Sequence, residues 1–516
     1  MVEGAEPCHR RASASRMFRT PQWLFLVLSV AVMLCLAILT PVAAGPDEPT
    51  HLYRMQQIGD GQLLSETVTE SWDSLDRTIG HAYTEDTSEK TLTDQGGYID
   101  SGFKQYVSTN YWRLRVQGDK HFAFPFWVDE QRPEDTVSGQ KQAAVFSNTV
   151  TNSPFLYMPQ IIGYKIASVA TRSVQWRVVA ARIGGVLLYC LAWSAAIAMT
   201  PVGKWLFAAV GLLPSILVVN SCVTADTMTI AVCVLFVAAV LRLSLCDKPA
   251  TWRELIFTGV LGVLLGFVKM TYFPLIVLLL LVPLLNRNMR TCRVAAVWGV
   301  SMAVGAACFL LWYAAVDSVN SGLMFARATD PDAQKAFVLS HPWRYCKMLL
   351  TLAAGMDVLN VNSYNAVMDQ SVRWRASWLA VLLLLIAVCT AVRDFARYSW
   401  RKRLCLCGAC IGLFVICSVL VATALYMYWD VPGNALISGV QARYFLPILV
   451  PLLLAIVALI PPPRQPEVDE RYESSALAES GVPVFTVALI IWLVLMMVMF
   501  SNLMHFYYGL SLFMVF

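Results

Sequence analysis

Stretches without a single charged side chain recur along this chain, separated by short polar segments. The first runs from about Pro21 to Ala44. Others lie near 183–199, 205–221, 227–241, 255–268, 272–285, 294–316, 376–392, 404–426, 444–460 and 482–501. Their apolar residues do not keep to one helical stripe, so each helix faces lipid or other apolar helices on every side. About 20 such residues cross a hydrocarbon core roughly 30 Å thick. The pattern predicts an all-α polytopic membrane protein, a bundle of about eleven transmembrane helices (range 10–13).

Two places decide the topology. Residues 155–170 are apolar but interrupted by Pro159, Gly163 and Lys165, and residues 255–285 carry Lys269 and Pro274 near their middle. One straight helix over 255–285 would be about 46 Å long, against a core of about 30 Å. Two short spans meeting near Lys269 fit better. With 155–170 and 345–360 taken as juxtamembrane or re-entrant helices, Arg242, Lys248, Arg253, Arg287, Arg290, Arg293, Arg393, Arg397, Arg401, Lys402, Arg403, Arg464 and Arg471 fall on one side. Arg10, Arg11, Arg16 and Arg19 precede the first span and share that side, which the positive-inside rule makes cytoplasmic.

The expected organisation is a cytoplasmic N-terminus (1–20), a first transmembrane helix (21–44) and an extracytoplasmic loop with juxtamembrane helices (45–177). Transmembrane helices 2–7 (178–316), a second outer loop (317–375) and helices 8–10 (376–460) come next, then a cytoplasmic linker (461–481) and the last helix with its tail (482–516).

Composition agrees and adds one asymmetry. Of 516 residues 57% are hydrophobic and 14% charged, against about 25% charged in soluble domains. Residues 44–153 hold 17 acidic and 9 basic side chains, half of the chain's 34 acids. No basic stripe sits on a soluble domain, which argues against nucleic acid as a partner. None of the 14 cysteines lies in 44–153, so that loop has no disulfide framework. Cys405, Cys407 and Cys410 form a C-x-C-x-x-C cluster with no nearby histidine, a weak metal signal. The absence of any N-x-S/T sequon favours a bacterial envelope.

The sharpest local feature follows the first span: Gly45-Pro46-Asp47-Glu48-Pro49-Thr50-His51-Leu52-Tyr53-Arg54. Two carboxylates leave the membrane between prolines that fix their backbone. A helix starting here aligns Asp47, His51 and Arg54 on one face. The plainer reading is an Asp N-cap with ordinary interfacial charges. Asp226 equally suits a cap, Lys269 a snorkelling lysine, Arg443 a span anchor and His51 an interfacial residue.

Beyond this motif, the chain resembles a bacterial family of multi-spanning membrane proteins filed as domain of unknown function 2142. The resemblance covers nearly the whole chain in order. It runs through PDEPTHLYRMQQIGDGQL at 46–63, NSPFLYMPQIIGYKIA at 152–167, AARIGGVLL at 180–188 and LLPSILVVNSCVTADTM at 212–228. It continues with GFVKMTYFPLIVLLLLVP at 266–283, HPWRYCKMLL at 341–350 and GVQARYFLPILVPLLLA at 439–455. Ala442 departs from the pattern, which leads one to expect a second glycine before Arg443. That family looks like a branch of the GT-C glycosyltransferases, which use lipid-phosphate-linked sugars and carry an acidic residue just after the first span. The resemblance implies a GT-C-like bundle with Asp47 as the catalytic carboxylate and Glu48 beside it.

Transfer from a polyprenyl-phosphate sugar needs a base for the acceptor hydroxyl and cations for the departing phosphate. Asp47 is the expected base, with Glu48 positioning acceptor or base. His51, Arg54, Asp226, Lys269, Arg344 and Arg443 are the expected substrate- and phosphate-binding residues. The expected partners are a polyprenyl-phosphate sugar donor, a glycan or glycolipid acceptor and membrane lipid. No metal or other cofactor is expected, although Asp47, Glu48, His51 and Asp226 are of a type that suits a divalent cation. The expected activity is hexosyl transfer with inversion on the outer face of the cytoplasmic membrane. A lipid-linked oligosaccharide flippase and a non-catalytic partner in envelope glycan assembly are the alternatives. Spans almost free of charge and the lack of internal repeats weigh against a transporter.

Overall fold

The computed structural model describes residues 20–72, 90–116, 122–129, 134–246, 249–317, 329–355, 370–461 and 470–510. The N-terminal arginines, much of the second outer loop and residues 462–469 of the linker lie outside them. Eight helices among the described residues are long and apolar enough to cross a membrane: Pro21–Leu39, Val174–Met199, Asp226–Leu245, Cys292–Val316, Trp378–Phe395, Trp400–Tyr428, Ala442–Leu459 and Val484–Tyr508.

The three other apolar blocks form shorter pieces, each with a local cause. The block at 205–221 divides into Lys204–Gly211 and Pro214–Asn220, because Pro214 cannot donate to the preceding turn. The 255–285 block is a broken hairpin. Trp252–Leu264 starts on a capping box between Thr251 and Glu254, and a 3-10 stretch Met270–Leu280 begins after Lys269 and runs into Leu281–Leu285. Lys269 thus lies at the turn, where the sequence places it.

Asp226–Leu245 is the central helix, buried throughout except at Leu235 and Arg242. Met158–Ala170 has 13 residues, about 20 Å of helix and too little for a span. It packs against Val174–Met199 at a close approach. A Cβ on Gly163 would run into the Ala180 carbonyl and one on Gly184 into the Pro159 carbonyl. Small residues let two apolar helices pack this closely.

One departure from an all-α fold sits in the first loop. Strands Glu66–Ser71, Thr91–Asp100 and Lys141–Val145 form an antiparallel sheet, with Glu66 opposite Gly96 and Gly96 opposite Val145. Val68, Trp72, Leu92 and Val145 make a small core of their own. The alternation Thr-Val-Thr at 67–69 is a strand signal that is faint beside the surrounding spans. The sheet joins helix Ser101–Val116 through a buried ion pair, Glu70 to Lys104 at 2.8 Å. It holds helix Glu48–Gly59 through the Gln57 amide, which donates to the Gly96 carbonyl at 3.3 Å. The helix beginning the motif is therefore wedged between the loop domain and the bundle.

Candidate functional site

The first span ends at Leu39, and its last carbonyls need donors from elsewhere. Arg182, fully buried on helix Val174–Met199, supplies them. It donates to Ala37 O, Thr40 O and Pro41 O at 3.1, 2.6 and 2.9 Å. The same guanidinium grips both oxygens of Glu48 at 2.8 and 2.7 Å. The backbone N–H groups of Val223 and Gly45 complete that carboxylate at 3.0 and 3.1 Å. Each Glu48 oxygen accepts two hydrogen bonds and the side chain is wholly enclosed. Glu48 has no free lone pair for an acceptor sugar. Its contacts make it a clamp on the turn that carries Asp47.

That turn puts Asp47 in the left-handed region, at φ 53° and ψ 15°, a conformation Asp tolerates better than most residues. It stands at the N-cap position, yet its side chain makes no capping hydrogen bond. The carboxylate forms an ion pair with Arg443 instead. Arg443 lies on the 3-10 turn Ala442–Phe445 that leads into helix Leu446–Leu459. Its Nη1 donates to Pro46 O at 3.0 Å and is 3.9 Å from Asp226 Oδ2. Asp226, first residue of the central helix, pairs with Lys269 from the hairpin turn. Both cations lie against the Tyr444 ring, with Lys269 Nζ 5.5 Å and Arg443 Cζ 5.2 Å from its centroid.

Two carboxylates and two cations from four separate elements thus converge where the first span ends. Asp47 is 30% and Lys269 19% exposed, whereas Arg443 and Asp226 are buried, so the cluster opens at Asp47 and Lys269. Its buried floor is incompletely bonded: Arg443 Nε and Asp226 Oδ2 have no hydrogen-bond partner. A buried polar group left so is costly unless a ligand or water meets it.

One turn beyond Asp47, His51 Nδ1 shares a 2.6 Å hydrogen bond with Tyr157 Oη, which also accepts from Asn152 Nδ2 at 3.1 Å. Burial, with Lys269 nearby, lowers the His51 pKa to about 3 against the opposing pull of Asp226 and Asp47. The imidazole is neutral at physiological pH. Burial works against the Asp47 carboxylate too, but Arg443, with Lys269 nearby, outweighs it and holds the pKa below its usual value.

The remaining residues lie elsewhere. Arg54 is buried and turned to the loop domain, donating to Gln57 Oε1 and Ser65 Oγ at 2.5 and 3.1 Å and to Leu63 O and Asn152 O at 2.8 and 3.2 Å. Arg344 is exposed on helix Pro342–Gly355 and lies over the Phe337 ring, with no contact to the cluster. Among the described residues no three His, Cys, Asp or Glu side chains gather as a metal site, Cys405, Cys407 and Cys410 included. Trp72 packs the loop core and Trp127 lies against Trp176. Tyr444, Tyr157 and Arg182 are not among the site residues expected from the sequence. All three lie inside the motifs quoted above, but only their partners in space reveal them.

The model of a family described as "Predicted membrane protein (DUF2142)" matches residues 28–452 of the chain. No curated protein and no solved structure matches it.

Proposed function

We propose that this chain, which belongs to the DUF2142 family of predicted membrane proteins, is an inverting glycosyltransferase that uses a polyprenyl-phosphate sugar on the outer face of the membrane. The observation that carries this reading is the convergence of Asp47 with Arg443, Asp226 and Lys269 at the end of the first span.

In the reaction, the acceptor hydroxyl oxygen attacks the anomeric carbon as the bond from that carbon to the phosphate oxygen breaks. The bonding pair leaves with the polyprenyl phosphate, and the acceptor's proton passes to the Asp47 carboxylate. Asp47 is ionised at neutral pH and weakly basic. It therefore takes the proton late, once bond formation has made the hydroxyl acidic. Lys269 and Arg443 meet the charge that grows on the leaving phosphate. Asp226 holds Lys269 in place, and Arg443 Nε is a buried donor with capacity to spare. Glu48 and Arg182 act through geometry, by fixing the turn that carries Asp47.

The test uses the purified full-length chain in liposomes containing a polyprenyl-phosphate sugar and a glycolipid acceptor. Transfer that falls about 100-fold or more in Asp47→Asn supports the reading. Transbilayer movement of the donor without transfer identifies a flippase instead, and neither activity points to an assembly partner.

A further inference from the structure

At the opposite end of the bundle the chain forms a second charged feature that the proposed reaction does not use. Asn286 donates from Nδ2 to Leu243 O and Cys246 O at 2.9 and 2.8 Å, so it is pinned to the last turn of helix Asp226–Leu245. Asp226 of the cluster is the first residue of that 20-residue helix. The two ends are about 30 Å apart, the thickness of a hydrocarbon core.

Beside Asn286 lies a pocket of about 470 Å³, walled by Arg287 and Arg290 on one side and Arg401 and Lys402 on the other. Among the described residues no acidic side chain lines it. Among the described residues none of the four cations pairs with a carboxylate. Arg290 Nε is occupied by the Pro283 carbonyl at 2.8 Å, which orients its fork. By contrast Arg403, on the same helix, is turned inward and donates to Ala458 O at 3.1 Å, so the pocket's charges are not simply those of the helix start. Apolar surface continues from the pocket toward the middle of the bundle. Leu284 lines it, and Val277, Leu280 and Leu404 nearby are all exposed.

Four cations that pair with no carboxylate among the described residues, above a strip of exposed leucines, match an amphiphile with an anionic head. We infer that this pocket binds the phosphate headgroup of an anionic phospholipid, with its acyl chains along Leu280 and Leu284. The ligand comes from the leaflet opposite the Asp47 cluster. Arg forks suit phosphate oxygens, and basic pockets between membrane helices recognise such headgroups.

Native mass spectrometry of the full-length protein tests this, with phosphatidylglycerol, phosphatidylcholine and inorganic phosphate as probes. Wild type is expected to retain phosphatidylglycerol at least about tenfold better than phosphatidylcholine. Arg287→Gln/Arg290→Gln and Arg401→Gln/Lys402→Gln should each reduce that retention by about tenfold or more. Arg253→Gln/Arg293→Gln, which removes two exposed charges outside the pocket, should leave it unchanged. Equal retention of the two lipids, or equal loss in the control variant, overturns the inference. Displacement of the lipid by millimolar inorganic phosphate also overturns it, by marking a site for a soluble anion. The readout does not involve glycosyl transfer, so it stands or falls independently of the proposed reaction.

Discussion

The carboxylate of Asp47 is paired with the guanidinium of Arg443, 396 residues further along the chain. The pair joins the end of the first span to the start of a late one, and Asp226 reaches the same guanidinium from the central helix. Removing Arg443 therefore acts on Asp47. In Arg443→Gln the burial that opposes ionisation remains while its main counterweight is gone, so the Asp47 pKa rises. The acidic limb of transfer activity is expected to move to higher pH, which a rate profile from pH 4 to pH 8 measures.

The same pair carries a stability signature. Asp47 has a lower pKa in the fold than its ordinary 3.8. Its contribution is fully present above that value and is lost as pH falls through the folded pKa. Asp47→Asn should be less stable than wild type at pH 7, with the gap closing on acidification below about pH 4. Thermal unfolding in detergent at both pH values reads it.

His51 behaves in the opposite chemical sense with a similar outcome. Its pKa falls from 6.5 to about 3 on folding, so the folded state favours the neutral ring. Below pH 6.5 the unfolded chain binds the extra proton. Stability is lost as pH drops from 6.5 toward 3, at up to about 1.4 kcal/mol per unit. His51→Gln should flatten that slope, and no activity limb near pH 6.5 should belong to this residue.

Glu48 and Arg182 should respond as a structural unit. Glu48→Gln leaves Arg182 as a buried charge without its partner, at a cost of about 3–5 kcal/mol. Arg182→Met does the same to Glu48. The double variant should be more stable than the sum of the single losses allows. Melting temperatures of the three proteins decide this, and a strictly additive result would sink the clamp.

Lys269 and Arg344 separate the cluster from its surroundings. Lys269→Ala removes a cation paired with Asp226 and should depress transfer about 100-fold. Arg344 is exposed over the Phe337 ring, outside the cluster, so Arg344→Ala should leave both activity and stability close to wild type, within about 0.5 kcal/mol. Equal losses in both variants would show that the phosphate binds elsewhere.

Much of this protein is legible in its sequence, because a membrane leaves few options for the backbone. Charge-free blocks mark the apolar helices, Lys269 marks where one of them breaks, and Pro159 with Lys165 marks a helix too short to cross. Local chemistry also singled out Asp47, Asp226, Lys269 and Arg443. It left each with a bland alternative as a cap, a snorkelling lysine or an anchor, since a charged residue at a helix end looks the same in all these roles. Only tertiary structure brings them together, because what a carboxylate can do depends on which cation stands opposite, and these partners lie 43 and 396 residues apart. It separated the adjacent Asp47 and Glu48 for the same reason. One faces a partly open cluster, while the other is enclosed by four donors that no local pattern foretells.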